Sequence, residues 1–408
     1  MKKTLLLLSV LPLLAMGQQG MNFEHSLTWK EIQAKAKAEN KYIFVDAFTT
    51  WCGPCRQMSA NIFPMQTVGD FMNKNFINVG VQLDTTKNDN DEVKGWYADA
   101  HDIQNTYKVN VFPTYLFFSP DGKLVHRAIG SSPADEFIAK GADALNPEKQ
   151  YYTMLAQYEA GKKDPTFLRK AALAAQNVYD KENSAKLGKE YLATQKDLFT
   201  KETLDLIAEM TRSSKDDGFA LMMNNGQKFD AIEGAGAANK NIVAIVQQEE
   251  VFPNMSSAPN TPAPDWTTLT EKVSQKYPKH AKEAVYSSKV IYYQYKQDWP
   301  NFQNAVVAYM KEFGASASPA QLNTYAWTVF QNCKDMSCVT QALEWSKKSF
   351  KDNENPIFID TYANILYKMG KKDEAIKWEE KALVLAGNDK TYQATLDKMK
   401  KGEKTWKD

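Results

Sequence analysis

Tyr42 to Met58, YIFVDAFTTWCGPCRQM, constrains this 408-residue chain more than any other stretch. Tyr42-Ile43-Phe44-Val45 is a continuous apolar run. One acid, Asp46, interrupts it before Phe48, and the segment then opens into Trp51-Cys52-Gly53-Pro54-Cys55. Such a run fits a strand buried on both faces of a parallel or mixed sheet. Two cysteines separated by two residues, at a strand-to-helix junction, read as a dithiol/disulfide redox pair. The structural alternative is half of a zinc site. No second C-x-x-C and no His pair at zinc spacing accompanies it, because His25, His101, His126 and His280 are scattered. No metal is expected.

Length and charge bound the rest. A chain this long exceeds one ordinary core and predicts two to three domains, at about 150 residues each. Hydrophobic content of 43% and charged content of 24% are those of a folded protein. With Lys+Arg at 50 and Asp+Glu at 49, no general electrostatic attraction to nucleic acid is expected. Lys2-Lys3, the apolar segment Leu5 to Leu14 and the small-x-small Ala15-Met16-Gly17 have the order of a secretory signal peptide over residues 1–17. That apolar segment is shorter than the ~20 residues a spanning helix needs. An exported, periplasmic protein is therefore expected, with no stable membrane insertion after cleavage. In an oxidising compartment the four cysteines, Cys52, Cys55, Cys333 and Cys338, read as two local pairs.

Residues 22–146 carry an α/β pattern. Thr28 and Glu31 form a capping box for a helix beginning near Trp29. The strand 42–48 follows, then the cysteine turn, a helix from about Pro54, and a strand over Phe76 to Leu83 ended by Asp84. Thr85 to Glu92 reads as a solvated polar loop. It lacks the ligand spacing, central Gly and closing Glu of an EF-hand. A helix is expected over Trp96 to Tyr107. Tyr115 to Phe118 and Leu124 to Ile129 flank the turn Ser119-Pro120-Asp121-Gly122, which predicts an antiparallel hairpin. Ser132-Pro133 is an expected N-cap and first helical position for a last helix ending near Leu145.

From about Gln150 no strand pattern returns. Helical segments are expected over 150–251 and 266–320, divided by a Pro-rich linker or loop at 252–265 with prolines 253, 259, 262 and 264. Over 321–400 an internal repeat appears. Ala342-Leu343-Glu344-Trp345 returns 33 residues later as Ala375-Ile376-Lys377-Trp378, whereas Tyr325-Ala326 returns four residues further on, as Tyr362-Ala363. A longer inter-helix turn, Gln331 to Val339, is expected to absorb the difference. Leu366 to Ala375, with Lys381-Ala382, resembles the tetratricopeptide repeat, in which small residues such as Gly370, Ala375 and Ala382 let two helices touch. Cys333 and Cys338 fall in the expected turn. A structural disulfide there competes with a redox partnership and with two free thiols.

Chemistry at the first pair needs one thiolate, one resolving thiol and access for a protein. Cys52, just before a helix, is the expected nucleophile, since free backbone N–H groups there lower a thiol pKa. Cys55, one turn in and expected to be less exposed, resolves the mixed disulfide. A lone Asp46 in an apolar strand is expected to have a raised pKa through desolvation, suiting it to exchange a proton near the sulfurs. A strand-end Asp with solvent access is the plainer alternative.

Trp51-Cys52-Gly53-Pro54-Cys55, the Asp six residues upstream and Pro113-Thr114 before a strand resemble the thioredoxin family over residues 24–146. The resemblance implies a cis peptide bond at Pro113. It also implies that Phe112 pairs backbone to backbone with an incoming peptide strand, with Trp51, Gly53 and Pro54 lining the same groove. No cofactor is implied. Two departures stand out. The acidic loop and helix at 85–107 are larger than the minimal fold needs, and Gly80-Val81-Gln82 lacks the lysine thioredoxins place near the buried acid. The expected architecture is thus an α/β thioredoxin-like domain, a mixed sheet flanked by helices, followed by an all-α tetratricopeptide-like domain.

The function this implies is reduction of disulfides in other exported proteins, fed by an electron donor in the membrane or periplasm. Two rivals remain at this point. One is a disulfide oxidase or isomerase. The other is a binding protein whose helical repeats present a concave surface and whose thioredoxin-like domain only docks.

Overall fold

The computed structural model describes residues 20–256, 258 and 261–406; the expected signal peptide, 1–17, and Pro259 lie outside them. The chain forms two compact units that part between Leu198 and Phe199.

The first unit is built on a five-stranded mixed sheet. Its elements run β1 (Phe23–Glu24), α1 (Trp29–Glu39), β2 (Tyr42–Phe48), α2 (Gly53–Gln57), α3 (Gln66–Asn75), β3 (Phe76–Gln82), α4 (Asp91–Gly95), α5 (Tyr97–Thr106), β4 (Thr114–Phe118), β5 (Leu124–Ile129) and α6 (Ala134–Ala144). The strand order is β1-β3-β2-β4-β5. β3 runs parallel to both β1 and β2, while β4 runs antiparallel to β2 and β5.

The apolar run of β2 explains its central place. Strand residues alternate between faces, so Ile43, Val45 and Ala47 meet Ile32 and Ala36 of α1 and Ala100 and Ile103 of α5 in one fully apolar layer. Phe44 points the other way, to Met58, Val68, Met72, Tyr115, Phe117 and Phe137, beneath α3 and α6. The predicted capping box starts α1: Thr28 N–H donates to Glu31 Oε2 at 2.9 Å, and Glu31 N–H to Thr28 Oγ1 at 3.4 Å. The last helix differs from expectation. It begins at Ala134 with Pro133 as its N-cap residue, and the Ser132 hydroxyl is buried without a partner.

The first unit does not stop near residue 146. It goes on through α7 (Tyr151–Glu159), α8 (Pro165–Asn177) and α9 (Lys181–Thr194). Tyr151 ties α7 to the sheet, its N–H donating to His126 Nδ1 of β5 at 3.2 Å, and its hydroxyl reaches the Asp180 carboxylate at 2.7 Å. The expected single helical segment 150–251 is therefore divided between the units, because α7 packs on β5 and α8 and α9 follow it in series. Such packing is invisible to a helical pattern read locally.

The second unit is all-α: α10 (Lys201–Met210), α11 (Asp217–Glu233), α12 (Ala237–Val246), α13 (Trp266–Lys276), α14 (Ala281–Tyr295), α15 (Trp299–Phe313), α16 (Pro319–Asn332), α17 (Met336–Ser349), α18 (Pro356–Lys368), α19 (Lys372–Leu385) and α20 (Lys390–Lys401). α12 continues as a wider turn over Gln247–Val251 and a 3-10 turn over Phe252–Asn254, so the expected linker or loop at 252–265 falls inside this unit and not between the units. Ser318-Pro319 and Asn355-Pro356 open two of the helices, their side chains accepting from Gln321 N–H and Ile357 N–H, as N-cap chemistry predicts.

The repeated residues are buried where α16 meets α17 and α18 meets α19: Ala326, Ala342, Ala363, Ala375 and Ala382 are all fully inaccessible. The expected long turn is absent. Both hairpins turn through three residues, 333–335 and 369–371, and the extra four residues are helical, one at the end of α16 and three at the start of α17. Gly370 is not a helix contact either. It is exposed in the turn with φ +81°, where a side chain would be strained.

Glu379 of α19 is fully buried beside Asp360 of α18. Burial, and then the charge of Asp360 on α18, push its pKa up. The folded chain holds this proton where the unfolded chain would release it, so stability is lost as pH rises into the alkaline range. Glu379→Gln should melt above the wild type by a margin that widens from neutral to alkaline pH in thermal unfolding. Parallel melting curves would refute this.

Candidate active site

β2 ends at Phe48, level with Gln82 of β3, and the cysteine loop springs from that edge. Cys52 is the N-cap residue of α2, which continues as a wider turn over Met58–Ile62. Cys52 and Cys55 are joined, with S–S 2.05 Å and Cα–Cα 5.3 Å. The Cys55 N–H donates to Cys52 Sγ at 3.1 Å, so the first turn of the helix already directs a donor at the expected nucleophile. That hydrogen bond favours a thiolate on reduction. Cys55 is not the less exposed of the two: Cys52 is 3% and Cys55 5% accessible. In the closed disulfide both sulfurs tuck under the loop, and the order expected for an open dithiol does not apply.

The loop is clamped by residues that sequence reasoning passed over. Thr50 donates its N–H to Asp84 Oδ1 at 2.9 Å and its hydroxyl to Asp84 Oδ2, and its carbonyl accepts from Arg56 at 2.8 Å. In the sequence Asp84 reads only as the end of a strand. The parallel register of β2 and β3 sets the two strand ends side by side, and that register is the signal that finds the clamp. Next to it, Asp89 is buried rather than solvated. It accepts from Thr86 N–H (2.7 Å), Thr86 Oγ1 (2.6 Å), Gln82 Nε2 (3.0 Å) and Tyr97 OH (2.7 Å). These hydrogen bonds hold its carboxyl far below the usual carboxylate range. Among the described residues, no cluster of three or more His, Cys, Asp or Glu could hold a metal ion.

The facing wall is the loop before β4. The Phe112–Pro113 peptide bond is cis. Trp51, 66% exposed, sets its ring edge-on to Phe112 at 5.6 Å between centroids. Gly53 and Pro54 are exposed beside it, while Phe112 is half-buried and Pro113 buried. The structure thus brings Trp51, Cys52, Gly53, Pro54, Cys55, Phe112 and Pro113 into one neighbourhood. Gly130 N–H donates to Pro113 O at 2.9 Å, and Lys140 Nζ donates to Ile129 O (3.1 Å) and Gly130 O (2.9 Å), which holds that loop to the end of β5.

Asp46 lies in β2 on the Phe44 face, directly opposite Tyr115 of β4 and level with Gly80 of β3. Glycine supplies no side chain, so the place a lysine would occupy is empty of charge. Burial alone raises the Asp46 pKa, to about 7, as desolvation of a carboxylate requires. Asp46 Oδ1 and Tyr115 OH are both buried without hydrogen-bond partners. Burial pushes the Tyr115 phenol up, and the Asp46 charge pushes it further. Lys140 Nζ stands over the Tyr115 ring, 5.6 Å from its centroid.

Cys333 and Cys338 lie in the second unit and are free thiols, not the structural disulfide considered above. Their sulfurs are 3.8 Å apart, within hydrogen-bonding range and beyond covalent range.

A family description, Thioredoxin-like domain, matches residues 29–145. The thioredoxin of Mycoplasmoides gallisepticum is 30% identical over 112 residues, covering 26% of this chain and 93% of that protein. This chain belongs to the thioredoxin family. Thioredoxin-2 of Pyricularia oryzae is 32% identical over 109 residues, which are 27% of this chain and 53% of that protein. The chain spans only 53% to 62% of the length of several such curated relatives. Among solved structures, a putative disulphide-isomerase from Bacteroides thetaiotaomicron shares 30% identity, covers 31% of this chain and 95% of its own, and superposes with a TM-score of 0.26. The thioredoxin-family match ends at Leu145, and the remaining helices are fused to it.

Proposed function

We propose that this chain is an exported thiol–disulfide oxidoreductase that reduces disulfides in other exported proteins through Cys52 and Cys55. The observation that carries the reading is the closed Cys52–Cys55 pair at the start of a helix, facing a cis-Pro loop across the exposed Trp51 ring. In the reduced enzyme the Cys52 thiolate attacks a substrate sulfur, and the other substrate sulfur leaves as thiolate. Cys55 then attacks Cys52 Sγ, which closes the disulfide and frees the second substrate thiol. Asp46 exchanges the proton that Cys55 must lose. The Phe112 backbone holds the client strand.

Support for the compartment comes from the signal-peptide order of residues 1–17. Among the described residues no helix is long and apolar enough to cross a membrane. The electron donor is a membrane or periplasmic dithiol protein. The helical repeats, of tetratricopeptide type, supply partner binding and thereby client choice.

Equilibrating the full chain with glutathione redox buffers tests the direction. The Gly-Pro dipeptide between the cysteines predicts a potential of about −270 mV, the thioredoxin value. A potential of about −120 mV would assign the chain to disulfide formation instead.

A further inference from the structure

The Cys333/Cys338 pair is not absorbed by the function above. Cys333 is the C-cap residue of α16, in extended conformation with φ −93° and ψ 135°, and Cys338 is in the first turn of α17 behind the N-cap Asp335. The two sulfurs approach to 3.8 Å, and Cys338 Sγ–H donates to Cys333 Sγ. Both side chains are sealed into the core of the second unit, at 2% and 1% exposure. Lys368 of α18 donates to the carbonyls of Phe330 and, at 2.9 Å, of Cys333 itself. The nearest acid, Asp335, is occupied by Ser337 N–H (2.9 Å), Ser337 Oγ (2.7 Å) and Gln303 Nε2 (2.9 Å). The pair is therefore ordered: Cys333 accepts a hydrogen bond and has a cation fixed near it, whereas Cys338 supplies the proton. The hydrogen bond from Cys338, and then Lys368, draw the Cys333 thiol down, while the Cys338 thiol is pushed up.

We propose that Cys333 and Cys338 form a second redox site, a buried dithiol that a small hydroperoxide oxidises to a disulfide joining the end of α16 to the start of α17. Burial excludes a folded protein or a bulky disulfide from either sulfur and leaves a compact, uncharged oxidant as the class that reaches them. Cys333, as thiolate, attacks the terminal oxygen of the hydroperoxide. The O–O bond breaks, and the alkoxide leaving group takes up the proton lost from Cys333 and departs as alcohol, or as water from hydrogen peroxide. Cys333 is now a sulfenic acid. Cys338 attacks the Cys333 sulfur, its proton joins the displaced hydroxide, and water leaves as the S–S bond forms. Two thiols are oxidised by two electrons and one peroxide is reduced. The sulfurs need only close from 3.8 Å to the ~2.05 Å of a disulfide. Because Cys333 has left the helical conformation, its side chain can turn without unwinding α16.

Lys334 lies between the two cysteines, which makes the test direct on the wild-type chain. The reduced full-length protein is exposed to hydrogen peroxide, its remaining thiols are alkylated in denaturant, and it is digested with trypsin. The expected result is a pair of tryptic peptides joined through Cys333 and Cys338. It should grow with the peroxide added and be absent from the untreated reduced protein. Recovery of both cysteines alkylated, under conditions that close Cys52–Cys55, would overturn the proposal. So would a bridge present to the same extent without peroxide, since that is a permanent structural link. Cys338→Ser should halt at a sulfenic acid on Cys333 that dimedone, added with denaturant, captures; equal capture on Cys338 in Cys333→Ser would overturn the order of attack. The joined peptides differ from those carrying Cys52 and Cys55, so this outcome is independent of the proposed reductase activity.

Discussion

Cys52→Ser should lower insulin reduction by the full chain to the background rate of the dithiothreitol that drives the assay. Cys55→Ser should lower turnover as far and, pre-reduced and then freed of dithiothreitol, should accumulate a covalent adduct with the client. The two losses have different causes. Only a thiolate is nucleophilic enough to open a disulfide, and a serine hydroxyl at Cys52 stays protonated at any working pH. The N-cap position of Cys52, with the Cys55 N–H directed at its sulfur at 3.1 Å, is what favours that thiolate. In Cys55→Ser the nucleophile survives, so the first exchange proceeds. The second cannot, because no thiol stands beside Cys52 Sγ to expel the client. Mass spectrometry of the non-reduced mixture reads the adduct directly. Equal rates for wild type and Cys52→Ser would sink the reductase reading and favour a binding role for the helical repeats.

Asp46→Asn should change how stability depends on pH, by up to about 4 kcal/mol across the range from acid to mildly alkaline solution. The folded carboxyl keeps its proton up to about pH 7, whereas its ordinary value is 3.8. Between those two values the folded state binds more protons than the unfolded one, so unfolding releases a proton and stability falls as pH rises. The contribution is fully present below the ordinary value and is lost as pH passes the folded value. Asparagine carries no titrating proton, so the variant's curve should lack this fall. It should run parallel to the wild type in acid and stand above it in alkali. Chemical denaturation of the oxidised proteins, in which Cys52 and Cys55 do not titrate, isolates the carboxyl. Curves that stay parallel throughout would show that Asp46 is solvated. The same substitution should slow client reduction, because Cys55 loses the group that accepts its proton.

Much of this site was legible in the chain alone. Cys52 and Cys55 announce themselves by spacing, and the apolar run on either side of Asp46 fits only a central strand. Pro113 before an apolar segment was found by resemblance, and its cis bond is present. Asp46 was expected to be desolvated, and it is. The roles of Asp84, Tyr115 and Lys140 were not legible, since each acts through a neighbour distant in sequence. Asp84 reaches Thr50 because two strands end level; Tyr115 faces Asp46 because an antiparallel partner sits directly opposite. The exposure of Cys55 was misjudged because the disulfide hides both sulfurs alike. In the helical unit, Ala375 and Ala382 mark real helix contacts and Gly370 does not, and the repeat offset places in a turn residues that in fact extend helices. An extra helical turn and a longer loop look the same to a repeat offset.

The sequence by itself determined the thioredoxin-family sheet, the cysteine pair at its edge and the change to helices after residue 146, because periodicity and turn chemistry are local and survive in one dimension. Only the tertiary structure decided which groups meet. It divided the helices between two units at Leu198 and left Gly80 beside Asp46 where a charge would have relieved its burial. It also brought Cys333 and Cys338 within 3.8 Å. Those outcomes depend on register and on packing across the chain, and the energy of a buried charge or thiol is set by what lies opposite it.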